Sequence, residues 1–130
     1  MVGIVVVSHS AKIADGICDL AGQMTAPGQK LIAAGGMADG GIGTDAFLIQ
    51  AAIEKAESGD GVLVMVDLGS AVISAELAVE MLDEKYKGQV AIADAPILEG
   101  AIAAAVDASV GQPLASVLAT AEGARELRKR

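Results

Sequence analysis

Two patterns of apolar residues alternate along this chain of 130 residues. Short, continuous apolar runs rich in Val and Ile are typical of strands that are buried on both faces of a sheet. They lie at residues 4–7, 30–34, 62–66 and 90–93. Longer segments with apolar residues at helical spacing separate them. This alternation predicts a three-layer, doubly wound α/β fold, with helices on both faces of a mainly parallel four-stranded sheet in the order 2-1-3-4.

The helical segments are bounded by residues that commonly start or end a helix. The first segment covers residues 11–24. Thr44 is expected to cap a second helix that ends near Gly59, and a third helix is expected to turn Leu77 toward the core. The last two segments cover residues 98–110 and 114–128. Helices therefore follow every predicted strand, as parallel pairing requires.

The loops that follow parallel strands emerge at one edge of the sheet. In the order 2-1-3-4 the first and third strands are neighbours, and their helices leave on opposite faces, which is where ligands usually bind. His9 and Asp67 follow these two strands, so we expect them to lie side by side. A carboxylate in that position orients an imidazole through its Nδ1–H and leaves Nε2 as the nucleophile.

An anion-binding loop is also predicted near His9, the only histidine of the chain. Residues 35–43 contain five glycines, whose backbone N–H groups no side chain obstructs. Helix N-termini at Ser10, Thr44 and Ser70 add positive dipole ends, so this region is suited to holding a phosphoryl group. It is not a P-loop, because no Gly-Lys-Ser/Thr follows. Neither Ser8 nor Ser10 has the flanking glycines of a serine-hydrolase nucleophile.

Composition excludes several classes of function. A net charge of −8 makes nucleic-acid binding a poor hypothesis, because that binding depends on Lys and Arg. The low aromatic content, 2%, argues against a flavin, and lone Cys18 with one histidine offers no zinc site. We therefore expect no cofactor and no metal. No segment has the length of a membrane helix and the start lacks a signal-peptide pattern, so we expect a cytoplasmic protein.

Four motifs follow one another along nearly the whole chain: GIVVVSHS at 3–10, AAGGMADGGIGT at 33–44, VDLGSA at 66–71 and DAPILEGA at 94–101. Together they resemble the phosphotransfer subunit of bacterial PEP-dependent dihydroxyacetone kinase, which has the IIA fold of the mannose-type phosphotransferase system. The resemblance implies a single phosphotransfer domain over 1–130 that forms a homodimer.

The same resemblance implies a phosphohistidine carrier, and hence a phosphotransferase component. HPr would phosphorylate His9, and the phosphoryl group would pass to ADP bound on the nucleotide-binding kinase subunit. Asp67 would orient His9, while Gly36, Gly69 and Ser70 would bound the phosphoryl site.

Two alternatives stay open. A sugar-transport IIA component would use the same His9 and hand its phosphoryl group to a IIB component; the Asp67-Leu-Gly-Ser-Ala loop favours the dihydroxyacetone system. A non-catalytic regulatory module would bind an anion in the glycine-rich loop and would keep its function after replacement of His9. An acceptor aspartate at Asp67 or Asp94 is disfavoured, because the first strand ends in Ser-His-Ser and not in the acidic pair that a magnesium site needs.

Overall fold

In the computed structural model, which describes all 130 residues, each of the four strands is followed by a helix, and one further helix follows the last of these. The elements are β1 (Gly3–Ser8), α1 (Ala11–Gly22), β2 (Leu31–Gly35), α2 (Ala46–Ala56), β3 (Val62–Val66), α3 (Gly69–Met81), β4 (Val90–Ile92), α4 (Ile97–Ser109) and α5 (Leu114–Gly123). Two single 3₁₀ turns cover Glu84–Tyr86 and Ala124–Glu126. All strand pairs are parallel and the order is β2-β1-β3-β4, which confirms the predicted α/β fold and strand order.

The two central strands are buried completely because helices cover both faces of the sheet. Alternate residues of β1 point to opposite faces: Ile4 packs with α1, α4 and α5, whereas Val5 packs with α2 and α3. Each such side chain contributes about 1.5–3 kcal/mol on full burial. The helices that follow β1 and β3, namely α1 and α3, therefore lie on opposite faces. That divergence opens a crevice at the carboxyl ends of these two strands.

Small side chains face the sheet along α3. Ala71, Ala75 and Ala78 form its buried stripe, and this spacing follows one face of a helix. Leu77 lies on the opposite side and is 49% exposed, so its expected inward orientation is wrong. The alanine stripe takes the inner face because methyl groups let the helix approach the sheet closely.

The start of α2 also differs from the expectation. Asp45, not Thr44, is the N-cap: its carboxylate accepts hydrogen bonds from the N–H groups of Phe47 and Leu48. The Thr44 hydroxyl is instead 2.6 Å from the Ser74 hydroxyl of α3. The Thr44 hydroxyl thus has its hydrogen-bond partner on a neighbouring helix, and the next residue, Asp45, caps α2.

The last helix is also shorter than expected and ends at Gly123. None of the helices combines the length and the hydrophobicity required to cross a bilayer.

Candidate functional site

His9 and Asp67 lie at the ends of the two central strands. Val7 of β1 pairs with Val66 of β3, and this register brings the loops that follow the two strands together. Both side chains are partly accessible: that of His9 is 22% exposed and that of Asp67 14%. The site is therefore at the surface, within the crevice where α1 and α3 diverge.

The ring of His9 is held at both nitrogens. Its Nδ1 lies 2.9 Å from Oδ1 of Asp67, and its Nε2 lies 2.6 Å from Oγ of Ser70. An ionised carboxylate only accepts hydrogen bonds, so Nδ1 carries the hydrogen and donates a hydrogen bond to Asp67. In the neutral ring Nε2 then has a lone pair, which accepts a hydrogen bond from the Ser70 hydroxyl. The geometry thus leaves Nε2 as the ring nitrogen with a lone pair.

Asp67 is kept ionised by a dense set of donors. Burial raises the pKa of this carboxyl, but the His9 backbone N–H, the His9 ring, the Ser8 hydroxyl and the Leu68 N–H donate to it and lower its pKa below the ordinary value. The Ser8 hydroxyl and the His9 N–H are each 2.9 Å from Oδ2, and the Leu68 N–H is 2.7 Å from Oδ1. Hydrogen bonds to the charged form outweigh its desolvation.

Ser8 belongs to the site, although no motif in the sequence predicts a role for its hydroxyl. Its side chain is fully buried at the end of β1, where it donates to Asp67 and accepts from the Ser10 N–H at 3.1 Å. The signal that marks it is a hydroxyl residue closing an otherwise apolar, buried strand directly before a histidine. Such a hydroxyl must find a partner inside the protein.

The glycine-rich loop holds the backbone around His9. The Gly43 N–H donates to the carbonyl of His9 at 2.8 Å, and the Gly36 N–H donates to the carbonyl of Ser8 at 3.0 Å. Gly36 has φ +72°, a conformation that favours glycine. Gly35 packs against the start of α1 so closely that an added Cβ would lie 2.7 Å from backbone atoms. This loop therefore contributes rigidity at the site.

Two further predicted residues lie at helix N-termini beside His9. The Ser10 hydroxyl caps α1 by accepting from the Ile13 N–H at 3.3 Å. Gly69 opens α3, which has no side-chain cap. The Ala71 N–H donates to the Leu68 carbonyl, so the N–H groups of Gly69 and Ser70 are the ones left for an anion. A Cβ on Gly69 would meet nothing within 4 Å, which shows how open this side of the site is.

An open cavity of about 450 Å³ adjoins Asp67 and Gly69. Val66, Val72 and Ile92 contribute apolar walls. No cluster of three or more His, Cys, Asp or Glu side chains is placed to hold a metal ion.

Comparison with known proteins gives a consistent picture. The chain matches the family described as "PTS system fructose IIA component" over residues 3–118. It is 41% identical, over 99% of its length, to the PEP-dependent dihydroxyacetone kinase phosphoryl donor subunit DhaM of Klebsiella michiganensis, of which it spans 28%. It is 37% identical to the corresponding subunit of kinase 2 of Listeria innocua, over 91% of this chain and 94% of the relative. The crystal structure of EF1359, a protein of unknown function, is similar with a TM-score of 0.85 and 40% identity over 95% of both chains.

Proposed function

This chain belongs to the family of PTS system fructose IIA components, and we propose that it carries a phosphoryl group on His9 for a dihydroxyacetone kinase. Its similarity to DhaM phosphoryl donor subunits supports this system. The single observation that carries the proposal is the state of the His9 ring. Asp67 binds Nδ1 at 2.9 Å, and Nε2 carries the lone pair that attacks phosphorus once the Ser70 hydroxyl, 2.6 Å away, has moved aside.

The transfer is an in-line displacement. Nε2 attacks phosphorus, the N–P bond forms as the bond to the donor breaks, and the positive charge that develops on the ring is stabilised by Asp67. The Ser70 hydroxyl, 2.6 Å from Nε2, occupies part of the space that phosphorus takes. It therefore rotates away and donates to a phosphoryl oxygen. The free N–H groups at the start of α3 stabilise the other oxygens.

HPr is the proposed donor, and ADP on the nucleotide-binding kinase subunit is the proposed acceptor. Both must reach the same nitrogen, Nε2 of His9, which lies at the carboxyl ends of β1 and β3. The two proteins therefore bind in alternation. Direct transfer needs a shallow site, and the partly exposed side chain of His9 meets that condition.

A homodimer is the proposed assembly, and the outer side of α2 and α3 is its proposed interface. Phe47 is 72% exposed, Ile73 69% and Leu77 49%, which is unusual for large apolar side chains. A hydrogen bond between the Thr44 and Ser74 hydroxyls, and one from the Gln50 amide to the Met81 carbonyl, set the register of the two helices. They bring Phe47 to the level of Leu77. Replacing Ile73 by Asp should yield a monomer in sedimentation equilibrium, whereas an unchanged mass would exclude this face.

Intact mass spectrometry tests the carrier function. The chain is incubated with PEP, enzyme I and HPr, in parallel with His9→Gln. We expect an acid-labile gain of one phosphoryl group that the variant lacks and that ADP-loaded kinase subunit removes. A gain that persists in His9→Gln, or no gain in the wild type, would refute the proposal. Discharge to a sugar-transport IIB component in place of ADP would identify the alternative to which the family description points.

A further inference from the structure

Ser70, His9 and Asp67 form one continuous chain of hydrogen bonds. Ser70 Oγ lies 2.6 Å from His9 Nε2, and His9 Nδ1 lies 2.9 Å from Asp67 Oδ1. A hydroxyl on a basic nitrogen, with a carboxylate orienting the ring from behind, is the arrangement that activates a serine for nucleophilic attack. We propose that the unphosphorylated protein has a second activity, the hydrolysis of small carboxylic esters, with Ser70 as the nucleophile and His9 as the base.

The position of Ser70 distinguishes it from the two serines next to His9. Ser8 is buried and its hydroxyl donates to Asp67, while the Ser10 hydroxyl caps α1. Ser70 is exposed in the first turn of α3, directly after Gly69, which has no side chain to obstruct it. The uncapped N–H groups of that turn are donors for the carbonyl oxygen of an ester as it becomes negative. Ser70 alone therefore combines access, a base and nearby donors.

The neighbouring cavity indicates the class of ester. Its apolar walls, Val66, Val72 and Ile92, suit a short acyl chain, and its volume of about 450 Å³ leaves room for a small leaving group. Glu76 and Asp94 also line it. Their negative charge disfavours anionic esters, so the expected substrates are neutral and small.

The reaction balances with groups that are present. Ser70 Oγ attacks the carbonyl carbon as its proton moves to His9 Nε2. The ester C–O bond then breaks, and the alcohol leaves with that proton. Water repeats the sequence on the acyl-serine and releases the acid. Phosphorylated His9 has no lone pair on Nε2, so the hydrolytic and the phosphotransfer activities exclude each other.

The test uses the full chain without any phosphoryl donor. A fluorophosphonate probe should form a covalent bond to Ser70 with loss of fluoride, which peptide mass mapping locates. Hydrolysis of p-nitrophenyl acetate should fall at least tenfold in Ser70→Ala and in Asp67→Asn. Ser74→Ala is the matched control, because Ser74 lies one turn further along α3 and its hydroxyl bonds to Thr44. That variant should keep the wild-type rate.

Three results would overturn the proposal: a probe adduct on His9, no adduct on the wild type, or ester hydrolysis by Ser70→Ala at the wild-type rate. The second of these does not depend on how any variant folds. Failure of the esterase test would leave the carrier proposal standing. Phosphorylation of His9 is measured separately, with PEP, enzyme I and HPr, and does not use Ser70 as a nucleophile. Prior phosphorylation of the chain should abolish labelling of Ser70.

Discussion

Replacing Ser8 by alanine removes the hydroxyl that joins the end of β1 to the carboxylate of Asp67. The hydroxyl donates to Oδ2 at 2.9 Å and accepts from the Ser10 N–H at 3.1 Å. Its side chain is fully buried, so water has no direct access to the groups that the substitution leaves behind. Ser8→Ala therefore deprives Asp67 of one donor and the Ser10 N–H of its acceptor, with no other change in the core.

The expected loss of stability follows from these two bonds. A hydrogen bond to a charged group contributes about 1.5–3 kcal/mol, and an unpaired buried donor costs about 1–3 kcal/mol. Ser10 is only half-buried, so water can partly replace the acceptor of its N–H. We expect Ser8→Ala to lower the free energy of unfolding by about 2–3 kcal/mol. At roughly 4 °C per kcal/mol, the melting temperature should fall by about 8–12 °C.

The loss depends on pH because the partner of Ser8 is an ion. The pKa of Asp67 is lowered in the folded protein, so this carboxylate contributes stability above its unfolded pKa of about 3.9. That contribution is lost as the pH falls through the lower, folded pKa. Ser8→Ala removes one of the donors and so raises the folded pKa. The difference between the two proteins should be largest near pH 7 and smallest in acid.

Urea unfolding followed by circular dichroism, from pH 7 to the lowest pH at which both proteins fold, measures this difference. Ser58→Ala is the control, because its exposed hydroxyl makes one long bond of 3.3 Å to the Met1 carbonyl. We expect Ser58→Ala to stay within about 0.5 kcal/mol of the wild type. A Ser8→Ala loss of that same small size at pH 7, or a loss that does not change with pH, would refute the argument.

Three further predictions concern the site and the packing around it. In Asp67→Asn, phosphorylation of the imidazole should be about 10²–10⁴-fold slower in a time course of intact mass, because an amide does not stabilise the positive ring. In Gly35→Ala, a Cβ 2.7 Å from backbone atoms at the start of α1 should lower the free energy of unfolding by about 1–3 kcal/mol, measured by thermal unfolding. In Gly16→Ala the new Cβ meets nothing within 4 Å, so the free energy of unfolding should rise by about 0.5–1 kcal/mol. Burial raises the pKa of the Cys18 thiol to about 11, and the charges of Asp15 and Asp19 add to this effect. Because the thiolate is the reactive form, iodoacetamide at pH 8 should alkylate the folded chain about a hundredfold more slowly than the chain in urea.

Each of these has a contrary outcome. Phosphorylation of Asp67→Asn at the wild-type rate would show that the carboxylate does not assist the transfer. Equal melting temperatures for Gly35→Ala and Gly16→Ala would show that the start of α1 yields without cost. Equal alkylation of Cys18 in folded and unfolded chains would show that its thiol is freely accessible.

The sequence by itself determined the framework that brings the site together. Continuous Val and Ile runs are stable only where helices cover both faces of a strand, so the pattern identified four strands, and the third strand has the predicted bounds 62–66. The order 2-1-3-4 was a hypothesis for such a fold, and the structure confirms it. In a parallel sheet all carboxyl ends share one edge, so the order 2-1-3-4 was enough to bring His9 and Asp67 to neighbouring strand ends. The four motifs identified the family, which the match over residues 3–118 confirms.

Only the tertiary structure decided how individual side chains are used. The rotation of α3 depends on how closely it approaches the sheet, so the alanine stripe faces inward and Leu77 does not. The roles of Ser8 and Ser70 depend on contacts with residues about 60 positions away along the chain, made by short side chains whose reach is a few ångströms. Periodicity determines which elements form, because it reflects burial along one element. The atoms that meet between elements are set by packing distance and rotamer, which no local pattern contains.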